Sequence, residues 1–309
     1  MSIKLISNTN IKDMLILLSK TAPKCKESYS FWLYPNKLGY FDLAIVSSSN
    51  NTLVVINDVF FCDKTSDQID SGSVIQLSLL GFLESTKNID GKCVITLNEK
   101  GDLNSDNRML SYKAPDERAF KVVVSDELGN NKTTINGTIT KINVCAVMSD
   151  VIESSKEENN IRFKLRVETL KTLFNNARKK SFDLISEDPF TKIKPSFAVV
   201  ETEKFYLLMK TNENAVKLNV TAFHAGLGNI FGRHIDTVLL TDTISIASTG
   251  EGEVLLGVSL KNLIDVLRPV FGKDEITITV VNTQSNQMIV AKKGNVFMSF
   301  TLLTKPPKF

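Results

Sequence analysis

Lys171 and Arg178 stand seven residues apart in LKTLFNNARK (170–179), and Lys261 and Arg268 repeat that interval in LKNLIDVLRP (260–269). Seven residues make about two turns of α-helix, so each pair sets two cations along one helix flank. Such groups suit contact with phosphate oxygens. Most of the chain's cations are Lys. Lysines are point charges on flexible stems, suited to nonspecific phosphate contact more than to base reading.

The groups that do covalent chemistry are scattered. His224 and His234 lie in AFHAGLGNIFGRH with no Cys or carboxylate cluster beside them, a poor metal site. Cys25, Cys62, Cys93 and Cys145 are widely spaced with no CxxC pair, which reads as reduced, packed thiols. G-x-S-x-G, Walker A and H-E-x-x-H are absent, and GLGNIFG lacks the strand–turn–helix setting of a phosphate loop. Asp and Glu are dispersed, without a pair for general acid–base work. The expectation is no catalytic residue, no metal, no cofactor and no enzyme.

The helices that carry the cations belong to a repeat. IKDMLILLSK (11–20), LLGFLESTKN (79–88), LKTLFNNARK and LKNLIDVLRP align with apolar residues at offsets 0, 3 and 4: Ile11/Met14/Leu15, Leu79/Phe82/Leu83, Leu170/Leu173/Phe174 and Leu260/Leu263/Ile264. Offset 7 holds Leu18, Thr86, Ala177 and Leu267. This is the stripe of an amphipathic helix seated on a sheet. Offset 1 is Lys12, Leu80, Lys171 and Lys261, and offset 8 is Ser19, Lys87, Arg178 and Arg268. Charge on the outer face of one helix is ordinarily just solvated. The same polarity on four aligned helices is harder to dismiss.

Each helix follows a short apolar strand and precedes strand-like runs rich in Ile, Val, Phe and Leu. After helix two come KCVITLNE, RMLSYKA and RAFKVVVSD. After helix three come PSFAVVE, KFYLLMKT and AVKLNVTAF. The unit is β-α-β-β-β, four times over. Paired units predict a domain at 1–130 and a domain at 161–309. Residues 131–160 then form a connector with one or two strands and a polar end. Residues 223–252 form an insertion carrying a further strand, IDTVLLTDTISIAS.

Composition bounds the rest. The 309 residues predict about two domains. At 42% apolar the chain can build cores. MSIKLISNTNIKD lacks the pattern of a signal peptide, and no run approaches the ~20 apolar residues of a membrane helix. The reading is a soluble intracellular protein. A net charge of +3 is modest for a tight nucleic-acid binder, so any such role must rest on placement of charge. Frequent Lys and Asn hint at an AT-rich genome, a viral one among the options.

A four-fold β-α-β-β-β repeat in two domains resembles the DNA sliding clamps, the processivity factors of replicative polymerases. VLLGVSLKNLIDVLRPVFGKDEITITVVNTQSNQMIVAKKGNVFMSFTLL is similar to the closing unit of a clamp domain, and IRFKLRVETLKTLFNNARKK to a domain-opening strand and helix. The N-terminal domain matches more loosely, with Gly81 inside helix two and Leu80 in place of a cation. The resemblance implies an α+β fold of two similar clamp-like domains, with the helices on one face of antiparallel sheets. It implies a ring around double-stranded DNA, held nonspecifically, with polymerase and clamp loader as partners and no cofactor. The DNA-facing candidates are then Lys12, Lys20, Lys87, Lys171, Arg178, Lys179, Lys261 and Arg268. Clamp rings use twelve such helices; four per chain imply a homotrimer closed head to tail. Arg118–Ser125 and Asn295–Leu303 are the expected edge strands between subunits. A partner-peptide pocket would lie by the connector and the tail LLTKPPKF, at Val147, Met148, Pro306, Pro307 and Phe309. Two alternatives stay open: a monomeric DNA-binding factor of the same fold, and a β-rich interaction protein that binds no DNA.

Overall fold

A computed structural model describes residues 2–21, 30–36, 38–47, 52–63, 74–98, 118–140, 153–187, 205–212, 214–223, 237–251, 255–282 and 287–301. They form two compact units. One is Met1–Glu153 with the short segment Gly294–Met298, and the other is Ser154–Lys293 with Ser299–Phe309.

The first unit holds β1 (Ser2–Ser7), α1 (Ile11–Thr21), β2 (Ser30–Pro35), β3 (Tyr40–Ser47) and β4 (Thr52–Cys62). It continues with β5 (Val74–Ser78), α2 (Leu79–Thr86), β6 (Cys93–Asn98), β7 (Arg118–Asp126) and β8 (Thr133–Thr140). Every ladder is antiparallel. β1 pairs with β4 and β6, and β2 with β3 and β5. β3 also pairs with β4, β5 with β8, and β7 with both β6 and β8. Exchange β1 to β4 for β5 to β8, strand for strand, and this pairing list maps onto itself. The two repeats of the sequence are thus two halves of one internally symmetric sheet arrangement. Its core gathers inward residues of both halves, among them Leu5, Phe31, Leu43, Phe60, Leu77 and Ile95, with Ile11 and Phe82 from the helices. The Phe31 and Phe82 rings meet edge to face at 5.1 Å.

The second unit holds β9 (Ile161–Arg166), α3 (Val167–Glu187), β10 (Phe205–Asn212), β11 (Ala215–Phe223), β12 (Thr237–Leu239) and β13 (Ile244–Thr249). β14 (Leu255–Ser259), α4 (Leu260–Phe271), β15 (Glu275–Asn282), β16 (Gln287–Lys293) and β17 (Val296–Thr301) follow. β9 pairs with β13 and β15, β10 with β11 and β14, β11 with β13, and β15 with β16. These six pairings match six of the first unit's eight, with β13 in the place of β4 and β15 in the place of β6. The fold is mixed α+β, mostly antiparallel, as the repeat predicts.

Two strand assignments change. Thr133–Thr140, expected in the connector, is hydrogen-bonded to β5 and β7 and completes the second repeat. Ile244–Thr249, expected inside an insertion, pairs with β9 and β11 and completes the third repeat. The run IDTVLLTDTISIAS is not one strand but two, β12 and β13, both laid along β11. RMLSYKA and PSFAVVE lie outside the described residues. Within Arg118–Ser125, Lys121–Val124 pair on both sides, with β6 and β8, so this part is not an edge. For the other expected edge strand, Asn295 lies in the first unit and exchanges two hydrogen bonds with Asn57 there.

The helices begin where strands end. Ser78 closes β5 and caps α2, its Oγ accepting from Gly81 N at 3.2 Å. Ser259 does the same for α4 toward Asn262 N at 3.5 Å. Each hydroxyl satisfies an N–H that the first turn leaves without an intrahelical partner. Gly272 ends α4 with φ +64°, a left-handed conformation that suits glycine, and its N–H donates to Arg268 O at 2.9 Å. α3 runs 21 residues, far beyond the ten-residue repeat segment.

Candidate nucleic-acid interface

The apolar stripe fixes which side of each helix is out. Ile11 and Met14 of α1 are buried, as are Leu79, Phe82 and Thr86 of α2, Leu170, Leu173 and Ala177 of α3, and Leu260, Leu263, Ile264 and Leu267 of α4. Within the first unit α1 packs beside α2, and within the second α3 packs beside α4. The opposite faces therefore point away from the sheets in each unit.

The predicted cations fall into two classes. Lys12, Lys87, Lys179 and Arg268 are exposed, while Lys171, Arg178 and Lys261 are half-buried on the flank of the stripe. The side chain of Lys20 lies outside the described residues. Lys12 Nζ pairs with Asp90 Oδ1, and Lys171 Nζ stands 3.5 Å from Glu168 Oε1, one turn back. Exposed pairs of this kind contribute only ~0–1 kcal/mol, so a phosphate can compete for either ammonium. Leu80 occupies the first cation position of α2 and is 59% exposed.

The periodicity missed part of the outer face of α3. Asn175, Asn176 and Lys180 are exposed there beside Lys179. The sequence signal was present in the doublet Lys179–Lys180. It falls one place beyond the alignment offsets, in the longer C-terminal half of the helix.

Among the described residues no three His, Cys, Asp or Glu side chains are grouped to hold a metal ion. No described helix is long and apolar enough to cross a membrane. Cys93 is buried, and that burial pushes its thiol up to about 12 although Ser7 hydrogen-bonds nearby. A thiol so placed carries no nucleophilic thiolate at neutral pH. His224, His234, Cys25 and Cys145 lie outside the described residues, as do Val147, Met148, Pro306, Pro307 and Phe309.

Several solved structures share this fold. The DNA polymerase sliding clamp from Bacillus subtilis aligns with TM-score 0.53 and 9% identity, over 100% of this chain and 67% of that one. The Helicobacter pylori beta clamp bound to 5-chloroisatin aligns with TM-score 0.51 and 11% identity, over 97% and 66%. The beta subunit of DNA polymerase III from Borrelia burgdorferi, in complex with a natural product, aligns with TM-score 0.51 and 12% identity, over 98% and 64%. The chain thus spans about two thirds of the length of these bacterial clamps. No family model matches the sequence, and no curated protein is similar to it. The fold is the sliding-clamp fold across the whole chain.

Proposed function

We propose that the protein is a DNA sliding clamp, a processivity factor that closes into a ring around duplex DNA and performs no catalysis. The observation that carries this reading is the repeated helix. Four helices bury the same apolar stripe, and each carries or is capped by an exposed cation, Lys12, Lys87, Lys179 or Arg268. The DNA-facing set is Lys12, Lys20, Lys87, Lys171, Arg178, Lys179, Lys261 and Arg268. Weak, solvated phosphate contacts suit a ring that must slide, because tight neutralisation would give a steep salt dependence and slow movement. The modest net charge of +3 agrees with that requirement.

The ring is a homotrimer closed head to tail. A chain two thirds as long as the bacterial clamps needs more copies to span a comparable circumference. Two open strand edges support closure. Among the described residues, Thr133–Asn136 of β8 pair only with β7, because β5 meets β8 from Gly137 onward. Ile244–Ala247 of β13 pair only with β11, because β9 meets β13 from Ser248 onward. One edge lies in each unit, which is what a heterologous, closing contact between copies requires. Polymerase and clamp loader would dock as peptides at Val147, Met148, Pro306, Pro307 and Phe309.

Retention on DNA tests the ring. After loading, the protein should stay on nicked circular duplex and run off linear duplex of the same length. Equal retention on both forms rules out topological linkage. Loss from both, with a single-chain native mass, points instead to a monomeric factor.

A further inference from the structure

Building on the DNA-encircling reading, we infer that the grip on the duplex is uneven. The outer stripe of α3, centred on Asn175, Asn176, Lys179 and Lys180, makes the main phosphate contacts. The helices of the first unit make few.

Among the described side chains of α3, those of Glu168, Thr172, Asn175, Asn176, Lys179, Lys180 and Asp183 are exposed. Their spacing is that of a single helical face. No carboxylate stands between Glu168 and Asp183. Asn175 and Asn176 place amide donors one turn before Lys179 and Lys180, so donors and ammonium groups run in a row along the helix. Lys179 and Lys180 make no ion pair among the described residues. Lys171 and Arg178 flank the row on the same helix. Together these groups are complementary to a phosphate backbone, which takes charge and hydrogen bonds without sequence reading.

The first unit offers the opposite. Asp13, Glu84 and Asp90 are exposed on or just beyond the two helices that carry Lys12 and Leu80, and Asp90 pairs with Lys12 as Glu168 does with Lys171. Ile16 and Leu80 are 54% and 59% exposed, so the outward face is partly apolar. Asp13 and Asp58 line a hollow of about 200 Å³ together with Met14, Ile56 and Val59. Among the described residues Lys12 and Lys87 thus stand against Asp13, Asp58, Glu84 and Asp90, a balance that does not favour phosphate.

The test is the salt dependence of binding to a short linear duplex, read by fluorescence anisotropy on the full chain. K179A/K180A should lower the slope of log K against log salt by about 1.8 for each engaged copy, and K12A/K87A by less than about 0.5. K179R/K180R should restore the slope. All variants should keep the wild-type thermal midpoint, since the positions are exposed and alanine favours helix. Equal losses from the two alanine pairs, or a larger loss from K12A/K87A, overturn the uneven grip and leave the DNA reading standing. A wild-type chain with no salt-dependent duplex binding overturns the phosphate grip of α3, while retention on nicked circles decides the ring reading separately.

Discussion

At the scale of single residues, the cysteines give the sharpest contrast. Cys93 is buried with its thiol pushed up to about 12, while Cys62 is only half-buried. With Cys25 and Cys145 replaced by serine, Cys62 should react with a thiol reagent in the native protein and Cys93 only after unfolding. Rapid reaction of both would contradict the packing around Cys93. The same burial ties stability to alkaline pH. The unfolded thiol loses its proton near 9.0, the folded one near 12, so the unfolded state binds fewer protons between these values. The stabilisation is present below about pH 9 and is lost as pH rises toward 12. The stability gap between wild type and Cys93→Ala should therefore narrow as urea titrations move from about pH 8 to about pH 10.5. The cations were legible in sequence as a class, because offset counting finds helix faces. Their rank was not. Offsets 1 and 8 hold exposed Lys12, Lys87 and Arg268 but half-buried Lys171, Arg178 and Lys261, so spacing alone does not set exposure.

Among the elements, the helices were the most legible part of the fold. A 0-3-4-7 apolar stripe is a local signal, and every described stripe position is buried or half-buried. Strands β8 and β13 were not legible as members of their repeats. TTINGTIT and ISIAST are rich in Thr and Ser, and it is their ladders, to β5 and β7 and to β9 and β11, that define them. Gly137 shows how firmly β8 is held. A Cβ there would come within 2.7 Å of Leu77 Cδ2 and 2.8 Å of Val122 Cγ2, side chains of the two strands that flank it. Alanine in a strand normally improves on glycine. Here Gly137→Ala should instead cost about 1–3 kcal/mol through overpacking, and Gly137→Val more. Urea midpoints measure this directly. A neutral or stabilising alanine would mean that β8 is not wedged between β5 and β7.

At the scale of the whole molecule, the question is whether three copies meet, and the edge of β13 allows a test that spares the fold. Ser248 N donates to Asn214 O, so Ser248 faces β11. Backbone groups alternate sides along an antiparallel strand. Ile246 and Ile244 therefore also face β11, and the N–H groups of Ser245 and Ala247 point to the open edge. Their side chains are exposed as well. Proline at 245 removes an outward donor and takes none from the β11 ladder, the one placement in a strand that proline tolerates. In a head-to-tail ring this edge receives β8 of the next copy. Ser245→Pro should convert a three-chain native mass to a single chain, with an unchanged circular-dichroism spectrum and loss of retention on nicked circles. Proline at Ile246 is the control, since it removes a donor from the β11 ladder and should lower the melting temperature. A trimer that survives Ser245→Pro would place closure on another edge, and the repeated pairing scheme would then describe the inside of each unit without describing the contact between copies.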